Sequence, residues 1–271
     1  MNNDSPQKAM LVVFLVALSC SILVSGAAIS LKPLQERNAL VERTRNIIGL
    51  TGLAPEGVSL SSDEVLEIAA QLDTRVIDLE TGLFDDSKDP ATFSARAARS
   101  DEAQSVEIPA ELDIANLGRR ATHETVYLVW DGDELTRVIF PIVGQGMWST
   151  LWGFVALESD LNTIAAATFY EQAETAGLGD QITRPSWLAN WAGREMFGDN
   201  GMVRFRIAGG PVEPGSAAAR FNVDGLTGAT VTANAVTNLV SYWFGPHGYA
   251  AFINELQSNP PTRAAPDGEA N

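Results

Sequence analysis

An uninterrupted apolar run lies close to the start of the chain. Residues 9–31 read AMLVVFLVALSCSILVSGAAISL, without a charged side chain, and Lys8 and Lys32 flank them. A helix of about 20 residues crosses the ~30 Å hydrocarbon core of a bilayer. The pattern therefore predicts a transmembrane helix. A cleaved signal peptide is the alternative, because Ser25-Gly26-Ala27 resembles a cleavage site, but the run is longer than the about 7–15 residues of a signal core.

Helical periodicity continues beyond the apolar run. Residues 32–50 place their apolar side chains on roughly one face, which predicts that the helix extends outward from the membrane. Ser61 and Glu64 have the spacing of a capping box and predict a second helix. The segment from Thr74 to Leu79 has the composition of a strand. Residues 85–107 are rich in Asp, Ser, Ala and Arg, lack periodicity, and predict a solvated loop.

The middle of the chain alternates between strand and turn signals. Two pairs of apolar segments flank short turns and predict two hairpins, over 124–130 with 134–140 and over 152–158 with 162–171. The remaining predicted elements are a short helix over 185–194, a strand over 202–207 and an amphipathic helix from Ala233 to Phe244.

These elements predict an α+β protein, with one N-terminal transmembrane helix followed by a domain built on a mixed, mainly antiparallel sheet. The predicted organisation is a short cytoplasmic N-terminus (1–8), the transmembrane helix (9–31), the folded domain (32–258) and a proline-containing, disordered tail (259–271).

Composition and charge narrow the function. The 271 residues carry a net charge of −16, which argues against nucleic-acid binding. The single cysteine, Cys20, allows no intrachain disulfide, and two distant histidines predict no metal site. No dinucleotide fingerprint or phosphate-binding P-loop follows a strand, so we do not expect this chain to bind NADH itself. Basic residues after the apolar run outnumber Lys8, which by the positive-inside rule favours a cytoplasmic domain; the rule is weak for a domain this long.

The chemistry-bearing segment is D-G-L-T-G-A-T-V-T at residues 224–232, directly before the predicted amphipathic helix. A helix N-terminus exposes unpaired N–H groups and a partial positive charge, so it holds phosphate well. Gly228 and Ala229 would let a phosphorylated ligand approach the backbone. The physical alternative is a helix cap without any ligand.

The same segment resembles the flavinylation motif D-x-x-[ST]-G-A-[ST] of proteins modified by a periplasmic FMN transferase. In that family the last Ser or Thr carries FMN through its phosphate. The resemblance implies one covalent FMN on Thr230, with Asp224, Thr227, Gly228 and Ala229 as the surrounding signature. Thr232 falls outside the acceptor position.

Two further segments extend the resemblance to the flavin ring. YEQAETAGLG (170–179) is similar to the family's E-T-x-G-L-G segment, with Ala176 where the family often has Pro, and WSTLWGF (148–154) is similar to a companion strand. The ring-binding residues that these segments imply are Glu174, Thr175, Gly177, Leu178 and Gly179, together with Trp148 and Ser149.

The N-terminal sequence SGAAISLKPLQERNALVERTRNIIGLTGL resembles the C subunits of the sodium-translocating NADH:quinone reductases. That resemblance reaches to about Leu256 and implies an FMN-binding domain in the periplasm, anchored in the lipid of the bacterial inner membrane. It also implies the A, B, D, E and F subunits as partners, and an electron relay between an iron centre and the next flavin, coupled to sodium pumping and ubiquinone reduction. No catalytic acid or base is implied. The alternatives are the G subunit of the Rnf complex and a membrane-anchored assembly module without flavin.

Overall fold

The computed structural model describes residues 5–53, 61–69 and 72–263, and it divides the chain into two compact units, 1–44 and 45–271. Helix α1 (Pro6–Thr51) is long and apolar enough to cross a membrane, judged by its length and composition. It joins the predicted membrane span and the predicted helix over 32–50 in one element. Of the predicted termini, residues 1–4 and 264–271 lie outside the described part of the chain.

The second unit contains a sheet, several short helices and two longer helices near the C-terminus. The helices are α2 (Ser62–Ala69), α3 (Ala95–Ala98), α4 (Pro185–Leu188), α5 (Thr230–Trp243) and α6 (Ala250–Ser258). The strands are β1 (Asp73–Asp78), β2 (Ser105–Glu107), β3 (Arg119–Ala121), β4 (His123–Asp131), β5 (Glu134–Gln145), β6 (Thr150–Glu158), β7 (Ile164–Glu171), β8 (Arg206–Ile207) and β9 (Asn222–Val223). Short 3-10 helices cover Gly179–Thr183, Ala189–Trp191 and Ala217–Arg220.

The main sheet has five antiparallel strands in the order β1-β4-β5-β6-β7. Both predicted hairpins are present, because β4 pairs with β5 and β6 pairs with β7. Strand β7 starts two residues later than predicted. The Asp160 carboxylate accepts hydrogen bonds from the backbone N–H groups of Asn162 (2.9 Å) and Thr163 (2.7 Å), so these residues form the turn.

Each face of the sheet supports a separate apolar cluster. The larger cluster takes alternate residues of β4, such as Val126 and Leu128, and packs against α5 and α6. The smaller cluster takes Tyr127 and Val129 from the opposite face, together with Ile47 from the end of α1. This alternation buries both faces of the central strands and fixes their register.

Helix α5 lies very close to β5. A Cβ atom on Gly144 would be 2.6 Å from the Cβ of Leu239, so only glycine allows this approach. The Trp243 indole N–H donates to the Val143 carbonyl at 2.6 Å, and the Tyr249 hydroxyl donates to the Pro141 carbonyl at 2.5 Å. The sheet therefore holds the C-terminal half of α5, and the segment that follows it, through several independent contacts.

Two sequence-based predictions in this unit were wrong in part. The predicted loop over 85–107 contains α3, which Ser94 caps, and β2, which pairs with the distant β3. The predicted strand over 202–207 is reduced to β8, which pairs in parallel with β9. Upstream of β8, Arg204 donates its backbone N–H to Met196 rather than to a neighbouring strand.

The C-terminal helices also differ from prediction. Helix α5 begins at Thr230 rather than Ala233, so the motif itself forms the first helical turn. Helix α6 was not predicted. The predicted helix over 185–194 is divided between α4 and the 3-10 helix that follows it. The Ser61–Glu64 capping box is present, with the Ser61 backbone N–H donating to the Glu64 carboxylate at 2.7 Å and the Glu64 N–H donating to the Ser61 hydroxyl at 3.3 Å.

Candidate functional site

Thr230 is the first residue of α5 and is exposed. No side chain caps this helix N-terminus, and its first turn carries no acidic residue. Gly228 has a φ of +74°, a left-handed conformation that glycine adopts without strain and that turns the chain into the helix. The unpaired N–H groups of the first turn and the helix dipole favour an anion at this point.

Thr232, two residues further along, has a different environment. Its side chain is only 1% exposed, and its hydroxyl donates a 2.6 Å hydrogen bond to Oε2 of Glu174. A buried hydroxyl that already donates to a carboxylate is poorly available for modification. Of the two threonines, only Thr230 is exposed.

The Glu174 carboxylate joins three segments that are far apart in the sequence. It is 8% exposed, its Oε1 accepts from the backbone N–H of Trp148 at 3.0 Å, and its Oε2 accepts from Thr232. Added Cβ atoms on Gly146 and Gly179 would lie 2.6 Å from Oε1 and 3.0 Å from Oε2, respectively. Both carboxylate oxygens therefore bind protein donors, and two glycines leave room for the carboxylate.

The Gly177–Gly179 segment forms a tight turn beside the start of α5. Gly177 has a φ of +79°, and the exposed Thr175 accepts through its carbonyl from the backbone N–H of Leu178 at 3.0 Å. Leu178 is 42% exposed, and a Cβ on Gly228 would be 3.0 Å from one of its methyl groups. The leucine side chain therefore lies immediately beside the Gly228-Ala229-Thr230 turn.

Gln181 connects this turn to the motif. Its side-chain amide donates to the carbonyls of Leu178 (2.7 Å) and Thr227 (3.3 Å). Sequence reasoning did not identify Gln181, because a single glutamine in a loop carries no motif signal. It also did not identify Gly146, although this glycine lies two residues before Trp148 and provides space for Glu174.

Trp148 and Ser149 precede β6. Trp148 is 66% exposed, whereas Trp130, Trp187, Trp191 and Trp243 are buried. The Ser149 hydroxyl accepts from the backbone N–H of Ala173 at 2.7 Å, which fixes this turn against the chain just before Glu174. Trp148 thus presents a large apolar ring to solvent, while hydrogen bonds at Trp148 and Ser149 fix the backbone of this turn.

Asp224 binds a different part of the fold. Its carboxylate accepts from the backbone N–H of Val212 at 2.7 Å, and its carbonyl accepts from the Trp187 indole at 2.9 Å. Asp224 therefore anchors the turn that leads into the motif. Around the motif, Gln181 connects Thr227 to Leu178, which lies beside Gly228. Glu174 connects the Trp148 backbone to Thr232, and Asp224 binds Val212 and Trp187.

Comparison with known proteins shows the family to which these segments belong. Residues 146–245 match the FMN-binding domain family, which covers the Trp148 turn, the Gly177–Gly179 turn and the motif. The C subunit of the Na(+)-translocating NADH-quinone reductase from Pseudomonas aeruginosa is 40% identical over 256 residues, covering 94% of this chain and 98% of the relative. The corresponding C subunit from Vibrio anguillarum is 39% identical over 257 residues, covering 94% and 97%. This chain belongs to the C-subunit family of the Na(+)-translocating NADH-quinone reductases.

Solved structures from this family have the same fold. The crystal structure of Shewanella oneidensis NqrC aligns with a TM-score of 0.74 and 32% identity, covering 83% of this chain and 100% of that one. The C subunit from Parabacteroides distasonis aligns with a TM-score of 0.60 at 24% identity, covering 82% and 96%, and supports the fold alone. The family and the fold class inferred from the sequence are both confirmed.

Proposed function

We propose that this chain is the electron-relay subunit of a sodium-pumping NADH:ubiquinone reductase and that it carries one FMN through a phosphoester on Thr230. Family membership supports the coarser statement directly: the chain is an FMN-binding, electron-transfer subunit of such a reductase and is anchored in a membrane. The observation that carries the covalent assignment is the contrast between the exposed Thr230 and the buried Thr232.

The first turn of α5 fits the phosphate of the cofactor. The exposed residue Thr230 lies at a helix N-terminus that has no side-chain cap and no acidic residue in its first turn. Backbone N–H groups and the helix dipole stabilise a phosphate there, while the threonine oxygen provides the attachment atom. Gly228 has no side chain that would block the phosphate from approaching the backbone.

The neighbouring exposed apolar side chains fit the flavin ring. Leu178 lies beside Gly228, and Trp148 is held through its backbone N–H by the same carboxylate that binds Thr232. We propose that Leu178 and Trp148 cover the ring, and that Thr175 and the Gly177–Gly179 backbone donate hydrogen bonds to its polar edge. Glu174 positions these groups, because both of its oxygens bind protein donors. Bound FMN supplies reversible one- and two-electron transfer.

The role in the complex follows from a site at the surface of the domain. An exposed site allows the close approach that electron transfer between proteins requires. We propose the A, B, D, E and F subunits as the redox and assembly partners, an FMN transferase as the maturation partner, and the periplasm as the location of the domain. Relatives named as C subunits of the reductase favour this proposal over the G subunit of the Rnf complex.

Replacement of the acceptor tests the covalent link. The chain is produced with an FMN transferase, denatured, and examined for flavin fluorescence on a gel and for peptide mass. Wild-type protein and Thr232→Val are expected to retain the flavin, and Thr230→Ala is expected to lose it. The modified peptide should gain the mass of FMN less one water. If Thr230→Ala retains the adduct, the acceptor assignment is wrong.

Activity of the assembled complex tests the relay. Thr230→Ala changes one exposed side chain, so we expect the complex to assemble normally and its sodium-dependent NADH:quinone activity to be lost. The other subunits are quantified in the same membranes. Unchanged activity in a complex that contains the flavin-free variant would support the assembly module instead.

A further inference from the structure

A polar cavity lies along α5, away from its N-terminus. It has a volume of about 510 Å³ and is formed by the segment before and within β8, the 3-10 helix Ala217–Arg220 and the C-terminal half of α5. Thr237, which lines it, is seven residues after Thr230, so the cavity is two helical turns, or about 10 Å, further along the same side of α5.

Two arginines line this cavity without carboxylate partners. Within the described part of the chain, neither Arg204 nor Arg206 forms an ion pair, although the protein has 34 acidic and only 18 basic residues. Two unpaired guanidinium groups beside one cavity therefore form a local positive site.

The nearby carboxylates are already engaged by another arginine. Arg220 binds the Glu195 carboxylate at 2.6 Å and the Asp199 carboxylate at 2.9 Å. The hydrogen bond from Arg220 lowers the pKa of Glu195, so that carboxylate stays ionised and held by Arg220 at neutral pH. Arg204 and Arg206 remain available for an anion from outside the chain.

The arginine positions are supported by packing. The guanidinium carbon of Arg204 lies 5.4 Å from the centre of the Phe221 ring, and a Cβ on Gly198 would come within 2.8 Å of the Arg204 side chain. The Arg206 backbone is fixed in β8 by pairing with Asn222. Less side-chain entropy is lost on binding when a guanidinium is already placed in this way.

Neutral hydrogen-bond donors complete the lining. Asn222 and Ser241 are half-buried and line the cavity. Their side chains form no hydrogen bond with any residue that the structure describes, whereas the Thr237 hydroxyl is used by the Ala233 carbonyl and the Ile207 N–H. An amide and a hydroxyl next to two guanidinium groups match the oxygens of a phosphate.

We propose that this cavity binds a phosphate-bearing ligand of small-molecule size through Arg204 and Arg206. Its volume lies within the roughly 300–1,000 Å³ typical of ligand sites. The phosphate could belong to a soluble metabolite or to a lipid headgroup, since both present the same oxygens. The proposal does not depend on the flavin on Thr230, because the two sites share no residue.

Calorimetric titration of the full chain in detergent tests the site. The probes are inorganic phosphate, AMP, and phosphatidylglycerol added to the detergent micelles. At least one probe should bind saturably, and affinity should fall by roughly tenfold or more in the Arg204→Gln/Arg206→Gln double variant. Binding only by phosphatidylglycerol identifies the lipid as the source; binding by phosphate or AMP identifies a soluble one.

Two further variants make the test specific. Ala218→Glu places a negative charge on an exposed residue of the lining and should also abolish binding. The Lys88→Gln/Arg263→Gln double variant removes the same total charge from two residues that do not line the cavity. It should bind the probes like wild type. Thermal unfolding confirms that each variant is folded. Failure of all three probes to bind, or equal losses in the charge-matched control, would overturn the proposal.

Discussion

At the scale of single residues, the site depends on one buried carboxylate. Glu174 accepts from the Trp148 backbone and from the Thr232 hydroxyl, and it is almost completely buried. Burying a carboxylate is unfavourable unless its hydrogen-bonding capacity is met. These two bonds therefore stabilise Glu174 and connect the Trp148 turn to the first turn of α5.

Glu174→Gln should lower the free energy of unfolding by about 1–3 kcal/mol. The glutamine has no charge to strengthen its hydrogen bonds, and its amide N–H₂ would face either the Trp148 N–H or the Thr232 hydroxyl, each of which donates to Glu174. Urea unfolding of the detergent-solubilised chain measures the change. Glu171→Gln is the matched control, since Glu171 is an exposed partner of Arg96 and such surface pairs contribute at most about 1 kcal/mol. Equal effects of the two substitutions would contradict the role of Glu174.

Thr232→Val removes the other end of the same bond. We expect a loss of about 1–3 kcal/mol, because the Glu174 oxygen would be left buried without its donor. The Thr232→Val/Glu174→Gln double variant should be less destabilised than the sum of the single variants, since both remove one interaction. Strict additivity in the urea experiment would show that the two side chains do not interact.

At the scale of elements, the close packing of α5 on β5 holds the helix that begins at Thr230, the proposed FMN acceptor. Gly144→Val would put a branched side chain against Leu239, and the resulting overpacking should cost about 1–3 kcal/mol of stability. Thermal unfolding checks this prediction. Gln145→Val provides the control, because Gln145 is adjacent on β5 and exposed. A melting temperature of Gly144→Val equal to that of Gln145→Val would contradict it.

Elements whose local pattern matches their tertiary environment were predicted well. The two hairpins were evident because the alternating apolar segments flank turns, and α5 was evident because its apolar residues recur on one face. The strand prediction over 202–207 failed because β8 forms only by pairing with β9, in which each paired residue lies sixteen positions later in the sequence. Helix α6 has nine residues and its apolar positions span barely two turns, which gives little periodic signal.

The candidate site was predictable where a motif exists and unpredictable where the contact is tertiary. The motif and the Gly177–Gly179 turn could be recognised from the sequence. The burial of Thr232 against Glu174 could not, since the two residues are 58 positions apart and their pairing follows from the sheet. The same holds for Gln181, which contacts Thr227 from 46 positions away.

At the scale of the whole molecule, charge and family membership give different predictions for the side of the membrane. Basic residues after the apolar run favour a cytoplasmic domain, whereas the resemblance implies a periplasmic one. The long folded domain makes the charge rule weak here, so we expect the periplasmic arrangement.

Protease added to intact spheroplasts should therefore degrade the domain after residue 45 and leave an N-terminal epitope tag protected. A cytoplasmic protein in the same cells reports whether the membrane stayed closed. Mass measurement of the purified chain also separates a retained anchor from a cleaved signal peptide. Protection of the domain in closed spheroplasts would contradict the expected periplasmic orientation.

The three-way junction at Glu174 has a consequence for biogenesis. Glu174 follows β7, and it binds Trp148 before β6 and Thr232 in α5. The surroundings of Thr230 are therefore complete only when α5, which is synthesised late, packs against the segments before β6 and after β7. Such long-range closure is slow compared with local helix formation. An unfinished or misfolded copy would lack this geometry, so we expect the proposed attachment of FMN at Thr230 to be confined to chains that have completed their fold.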